Sequence, residues 1–310
     1  MKVIITGGAG FIGSHLVDYY LAQGDEVIAI DNLITGREEN IDHHLGKSTF
    51  IFLKKDVCDV VEIDGDIDLI MHFACPASPI DYLRYPIETL KVMSLGTFGM
   101  LEIARAKKAK FFLASTSEVY GDPETHPQKE DYFGNVNLLS TRAVYDEGKR
   151  FAEAVTLSYH RKYHLNIGIV RIFNTYGKRM RTGDGRVVPA FISAALKNEP
   201  LPIFGDGTQT RSFCYIDDMV KGITKAAEID YPEPINLGNP AEYRIIQLAE
   251  IVKRLCNSPS EYKFLELPDS DPKKRRPDIS KAKEFLNWEP RVSLEQGLKN
   301  VIEWFRSRND

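Results

Sequence analysis

Cysteine is scarce in this chain, with four among 310 residues: Cys58, Cys75, Cys214 and Cys256. They are too scattered for a zinc site or a disulfide framework, so all four are expected to be reduced and mostly buried. Long apolar runs are missing too: none approaches the roughly twenty residues that span a bilayer. Met1 leads straight into an apolar strand pattern, leaving no room for a secretory leader, so a cytoplasmic protein with no membrane partner is expected. Nor is there an excess of positive charge. Lys and Arg number 40 against 44 Asp and Glu, a net charge of -4, which argues against nucleic acid as the main partner but leaves room for local basic patches that hold a phosphorylated ligand. Internal repeats and low-complexity segments are likewise absent. What remains is a hydrophobic share of 43% in a chain long enough for one large domain or two joined ones with an ample core.

The most informative stretch is the first. Val3, Ile4 and Ile5 read as a buried strand, glycines follow at 7, 10 and 13, and a helical pattern runs on through Gln23. Glycine suits this turn because the backbone needs torsion angles closed to side chains, a pyrophosphate must approach it, and strand and helix must pack closely. Gly7, Gly10, Phe11, Ile12 and Gly13 therefore form a dinucleotide cradle, the helix start offering free amides and the positive end of its dipole. A second strand, Glu26–Ile30, ends on Asp31 about twenty residues on, where a carboxylate accepts from the adenosine ribose hydroxyls. Asp31 favours NAD over NADP, and Arg37 is then read as solvated or facing the adenine. The following loop, with Asn32, Thr35 and Gly36, and the pair Asp56 and Val57 at the next strand end are assigned to the same cofactor. Residues 67–73 form another buried strand, and Phe73, Cys75 and their small neighbours leave space where a cofactor crosses the sheet edge.

Further strands over 49–53, 109–114 and 166–172 alternate with long helices over 88–107 and 145–160. That alternation predicts an α/β fold with a Rossmann-type doubly wound parallel sheet over residues 1–172. Beyond it the texture changes to glycine-, proline- and arginine-rich loops, with shorter helices over 188–198 and 245–255 and a closing helix over 294–306 capped by Ser293. Residues 173–310 are expected to form a smaller, mainly substrate-binding lobe, some segments returning to the first domain, with ligands held where the lobes meet.

Tyr145 and Lys149 stand four apart, one above the other on a helix face. A free phenol titrates near about 10 and is a poor base at neutral pH until a cation stabilises the phenolate. Lys149 can supply that charge while also holding a nicotinamide ribose, and Tyr145 can then take a proton from a sugar hydroxyl as hydride leaves the same carbon.

Together the glycine turn, residues 115–121 (Ser-Thr-Ser-Glu-Val-Tyr-Gly) and the Tyr145/Lys149 pair resemble the extended short-chain dehydrogenase/reductases, the NAD-dependent epimerase/dehydratase family of nucleotide-sugar enzymes. The likeness runs nearly the whole length, and within the family it is strongest to the branch that decarboxylates UDP-glucuronate. Its marks are residues 76–79, 115–123, 142–150, 184–188 and 274–278. The resemblance implies tightly bound NAD+, oxidation at C4 of UDP-glucuronate with Tyr145 as base, loss of carbon dioxide from the resulting keto acid, and re-reduction to UDP-xylose. It implies Thr116, Glu118, Tyr145, Lys149 and Arg275 as catalytic residues, Thr116 and Tyr145 meeting the enolate oxygen while Glu118 and Arg275 face the carboxylate. Arg211, able to meet a phosphate with two bonds, is assigned to the UDP moiety. Lys91, Ser117, Asn174 and Val188 match positions near the substrate, and Thr175, Arg181 and Arg186 positions near the cofactor. A homodimer joined through the two long helices is also implied.

Three rivals remain open. A nucleotide-sugar 4,6-dehydratase carries Asp where this chain has Ser117, and that Asp is the acid for the departing 6-hydroxyl. A UDP-glucuronate 4-epimerase usually has no acid at the position of Glu118. A catalytically silent NAD(H)-binding scaffold would not need Thr116, Glu118, Tyr145 and Lys149 intact. Departures from the family pattern are Met93 in place of the usual Asn, which puts a local helix distortion in doubt, Lys178 in place of Pro, and Phe204 in place of Tyr.

Overall fold

The computed structural model describes residues 1–266 and 274–308, and the alternating pattern of the first half becomes alternating structure. In chain order come β1 (Lys2–Thr6), α1 (Phe11–Ala22), β2 (Glu26–Ile30), β3 (Phe50–Leu53), β4 (Leu69–His72), α2 (Pro79–Arg84), α3 (Pro86–Lys91), α4 (Thr97–Lys107), β5 (Lys110–Thr116), α5 (Ala143–Tyr163) and β6 (Ile167–Ile172). Then follow β7 (Thr175–Tyr176), α6 (Val187–Lys197), β8 (Leu201–Phe204), β9 (Thr210–Ser212), β10 (Cys214–Tyr215), α7 (Ile216–Glu228) and β11 (Pro234–Leu237). The chain closes with β12 (Glu242–Arg244), α8 (Ile245–Cys256), β13 (Tyr262–Leu265), β14 (Lys274–Arg275), α9 (Ser280–Leu286) and α10 (Leu294–Arg308).

The central sheet has seven strands in the order β11-β6-β5-β4-β1-β2-β3, every neighbouring pair parallel. Its strands are branched and apolar because both faces are covered: Val3 and Ile5 pack into one core cluster and Ile4 into the other, the two-residue period of a strand. The order reverses between β1 and β4, which opens a crevice at the carboxyl ends of those strands. Four free cysteines fit the expectation, Cys214 and Cys256 buried and Cys58 and Cys75 half-buried. No helix among the described residues is long and apolar enough to cross a membrane.

Two features differ from the sequence reading or go beyond it. The helix expected over 88–107 is not uniform, since a π-helical turn, Val92–Gly96, separates α3 from α4. Ser94 turns its hydroxyl back to the carbonyls of Leu90 (2.7 Å) and Lys91 (3.4 Å), and Met93 lies buried against the glycine at 148, where an added Cβ would fall 2.4 Å from its sulfur. The distortion thus exists without the amide that the family usually places there. The other is β11, which comes from far beyond residue 172 yet extends the first sheet by pairing with β6.

Past β6 the small sheets serve the crevice. β14 runs parallel to β9 with Arg275 opposite Arg211, and paired residues of neighbouring strands share a face. Ser293 caps α10, accepting from the Gln296 amide at 3.3 Å.

Candidate active site

A cavity of about 970 Å³ runs from the glycine turn across the carboxyl edge of the sheet to β9 and β14. At one end is the cradle. Gly7 has φ of +69°, and a Cβ there would sit 2.9 Å from the Ala74 backbone; at Gly13 it would lie 2.0 Å from the Gly7 carbonyl oxygen. Both positions exclude any side chain, and Gly10, Phe11 and Ile12 complete the lining. Asp31 accepts from the amides of Ala9 (3.1 Å) and Leu33 (2.8 Å), so burial raises its pKa while both amides pull it back. Gly36 is not in the cavity wall; it gives room to Asp31, since a Cβ at Gly36 would come 2.7 Å from both carboxylate oxygens. Asn32 donates to Asp56 at 2.8 Å, and with Thr35 and Val57 they line the same end. A side-chain-free turn, amides at a helix start and a carboxylate fixed on the next strand fit a dinucleotide pyrophosphate and its adenosine ribose.

At the middle of the cavity, α5 and the end of β5 meet. Lys149 donates to the Ala114 carbonyl at 2.8 Å, and its ammonium lies 5.9 Å from the centre of the Tyr145 ring. Tyr82 stacks on Tyr145, ring centres 5.0 Å apart. Burial drives the phenol's pKa well above its ordinary value, while a hydrogen bond with Thr116 opposes the rise; by itself the protein holds Tyr145 as a phenol. Thr116 also accepts from the Glu118 amide at 3.3 Å, starting the short 3-10 turn Ser117–Tyr120. Phe73, Cys75, Asn174, Thr175 and Val188 line the walls around them.

Beyond Thr116 is a cluster of cations. Glu118 binds two guanidiniums through the same oxygen, Arg142 at 2.6 Å and Arg275 at 3.2 Å. Burial would raise its pKa, but Arg275 and Arg142 overcome that and hold the carboxyl below its ordinary value. Arg275 is 1% exposed, and its other nitrogen donates to the Ser117 carbonyl. Arg211 stands beside it on β9. On the cofactor side Arg181 pairs with Asp81 and Arg186 with Asp184, and the Arg186 guanidinium sits over the Phe11 ring, 5.7 Å from its centre. These are ion-paired residues of the cavity, not solvated loop cations.

Lys91, like Gly36, is an assigned residue that lies outside the cavity wall. It ends α3, exposed, and its charge acts on Asp56. Sequence reasoning also missed three residues. Arg142 falls in the stretch 142–150 that carries the family resemblance but was given no role there. Asp146, 6% exposed with no hydrogen-bond partner for Oδ1, lies beside Glu118, and burial pushes its pKa up to about 7. His72 bridges Thr6 (2.9 Å) and Thr97 (3.3 Å), neutral because burial and then Lys149 push its pKa down to about 3. A histidine ending an apolar strand gives no sign of this.

Residues 3–238 match the NAD dependent epimerase/dehydratase family. The chain is 50% identical over 309 residues to UDP-glucuronic acid decarboxylase 6 of Arabidopsis thaliana, covering 99% of this chain and 90% of that one. To UDP-glucuronic acid decarboxylase 1 of Danio rerio it is 47% identical over 304 residues, covering 98% and 72%. Among solved structures, UDP-glucuronic acid 4-epimerase from Bacillus cereus, in complex with UDP-glucuronic acid and NAD, superposes with a TM-score of 0.86 at 31% identity over 99% of both chains.

Proposed function

The chain belongs to the NAD-dependent epimerase/dehydratase family, and from that premise we propose that it decarboxylates UDP-glucuronate to UDP-xylose with bound NAD+. The observation that carries this reading is the pairing of Glu118 with the buried Arg275 and with Arg142, one short turn from Thr116 and Tyr145. That cluster gives a sugar carboxylate a countercharge next to the base. A dehydratase would need an acid at Ser117, whose hydroxyl is far too weak an acid to protonate a departing hydroxyl and whose carbonyl is occupied by Arg275. The decarboxylases among the relatives, about half identical over nearly the whole chain, support the same choice.

When bound, NAD+ supplies a hydride acceptor, and later a donor, for C4 of the sugar. The glycine turn, Asp31 and Asp56 would hold its adenosine half, and Thr175, Arg181, Arg186 and Lys149 the half near the sugar. Tyr145 takes the proton of the C4 hydroxyl as a phenolate, a form that the positive charge of bound NAD+ would favour together with Lys149 on the same helix face and the Thr116 hydrogen bond. Arg275 orients the carboxylate, now beta to a ketone, so that carbon dioxide leaves as its bonding electrons move into the carbonyl. Thr116 and Tyr145 then donate to the enolate oxygen as charge grows there, C5 is protonated, and Arg211 keeps the diphosphate in place throughout.

In this reading residues 1–172 hold the dinucleotide and 173–310 mainly the nucleotide sugar. The protein works in the cytoplasm, where four reduced cysteines are at home, and as a homodimer, which would cover the exposed Leu90, Leu95, Phe98 and Phe151 on α3, the π turn, α4 and α5. Incubation with UDP-glucuronate followed by proton NMR tests the activity. UDP-xylose with released carbon dioxide is expected; UDP-galacturonate would make it an epimerase, and unchanged substrate would overturn the proposal.

A further inference from the structure

We propose that Arg142 is a positioning residue dedicated to Glu118, which keeps that carboxylate ionised and in place when Arg275 turns to the carboxylate of the substrate. The inference rests on the decarboxylase reading for its second half only.

Four observations carry it. Both guanidiniums meet the same oxygen of Glu118, Arg142 at 2.6 Å and Arg275 at 3.2 Å, so the shorter contact belongs to the residue that sequence reasoning left unassigned. Arg142 is also badly placed for stability. It is the N-cap of α5, with the Tyr145 and Asp146 amides on its carbonyl, and a cation at that end opposes the helix dipole. Its side chain makes no cap hydrogen bond and reaches Glu118 across the cavity wall instead. Finally, the site must hold two carboxylates near one another once an acidic sugar is bound. One guanidinium shared between them leaves one acid short of countercharge, and like charges that close force one to take a proton. Two guanidiniums remove the conflict.

The groups that face Glu118 are Arg142, Tyr145 and Asp146 on α5, Arg275 on β14 and Arg211 on β9. Burial pushes the pKa of Asp146 up to about 7, and its charge counts against Glu118 ionising. Removing Arg142 therefore leaves Arg275 and Arg211 as the cations that act on Glu118.

The test uses the full chain carrying carboxyl-labelled glutamate, with the Glu118 resonance assigned by Glu118→Gln and followed by carbon NMR against pH. In the parent, Glu118 stays ionised to below its ordinary range, and in Arg142→Gln its midpoint rises by about one pH unit or more. Arg142→Lys, which keeps the charge, restores most of the shift and shows that loss of fold is not the cause. In the same variants the acid limb of kcat/KM for UDP-glucuronate moves up with the midpoint, whereas affinity for UDP stays put. An unmoved Glu118 midpoint in Arg142→Gln overturns the inference. A moved midpoint in a parent protein that releases no carbon dioxide keeps Arg142 as the partner of Glu118 and removes the decarboxylase reading instead.

Discussion

At the scale of single residues the proposed chemistry turns on Tyr145. Its phenol is buried against Tyr82 and held by Thr116, and it is the residue assigned to take the sugar proton. Tyr145→Phe should lose C4 oxidation by about 10³-fold, seen as no rise near 340 nm when UDP-glucuronate meets the NAD+-loaded protein. Glu118→Ala should still show that rise, because the carboxylate end acts after oxidation; equal full turnover in both variants would remove the assigned roles. Asp146 gives a prediction of another kind. Its pKa rises from 3.8 to about 7 in the fold, so between those values the native chain binds a proton that the unfolded chain has lost. Stability is full below the unfolded value and falls as pH rises through about 7, by up to about 4 kcal/mol. Asp146→Asn should therefore be more stable than the parent in urea at pH 8, with the gap closing toward pH 4; parallel curves would contradict this. Tyr145 and Lys149 stood out in the sequence because their spacing occurs behind a dinucleotide-binding pattern and beside Ser115 and Thr116. Asp146 and Arg142 did not, since a carboxylate and a guanidinium in the first turn of a polar helix look solvated until the opposite wall is known.

At the scale of elements, the strand, turn and helix from Lys2 to Ala22 form the cradle proposed for the cofactor. The Gly13 Cα faces the Gly7 carbonyl, which cannot move without pulling β1 from its neighbours. Gly13→Ala should weaken NAD+ binding by roughly tenfold or more in calorimetry, and unchanged affinity would count against the cradle. This element was readable almost to the residue, because three glycines, a branched strand and a distant acid each have a steric or electrostatic cause. The π turn was not. Its sequence, Val-Met-Ser-Leu-Gly, carries ordinary helical periodicity, and the contacts beside it, the Ser94 hydroxyl on the Leu90 carbonyl, Thr97 with His72 and Met93 against Gly148, come from the fold. The same holds for β11, whose four residues gain their place only from the open edge of β6.

For the whole molecule, the parallel sheet opens a crevice, and segments from the second half bring Arg211 and Arg275 to it. Alternation made the first half legible as a doubly wound sheet; the second half was legible only as a cap, because short strands such as β14 exist through their partners. The outer face of α3, α4 and α5 leaves Phe98 and Phe151 exposed in edge-to-face contact with each other, 6.0 Å between ring centres. Sedimentation should give twice the chain mass, and Phe98→Glu with Phe151→Glu should give the chain mass; an unchanged dimer in that variant would place the interface elsewhere. The most direct test of the central claim, a transient ketone at C4, is conversion of UDP-glucuronate deuterated at that carbon. UDP-xylose that keeps its deuterium at C4, with one carbon dioxide released per sugar and no exchange with added NADH, is the expected result. Product without the label, or decarboxylation by the Tyr145→Phe variant at the parent rate, would contradict it.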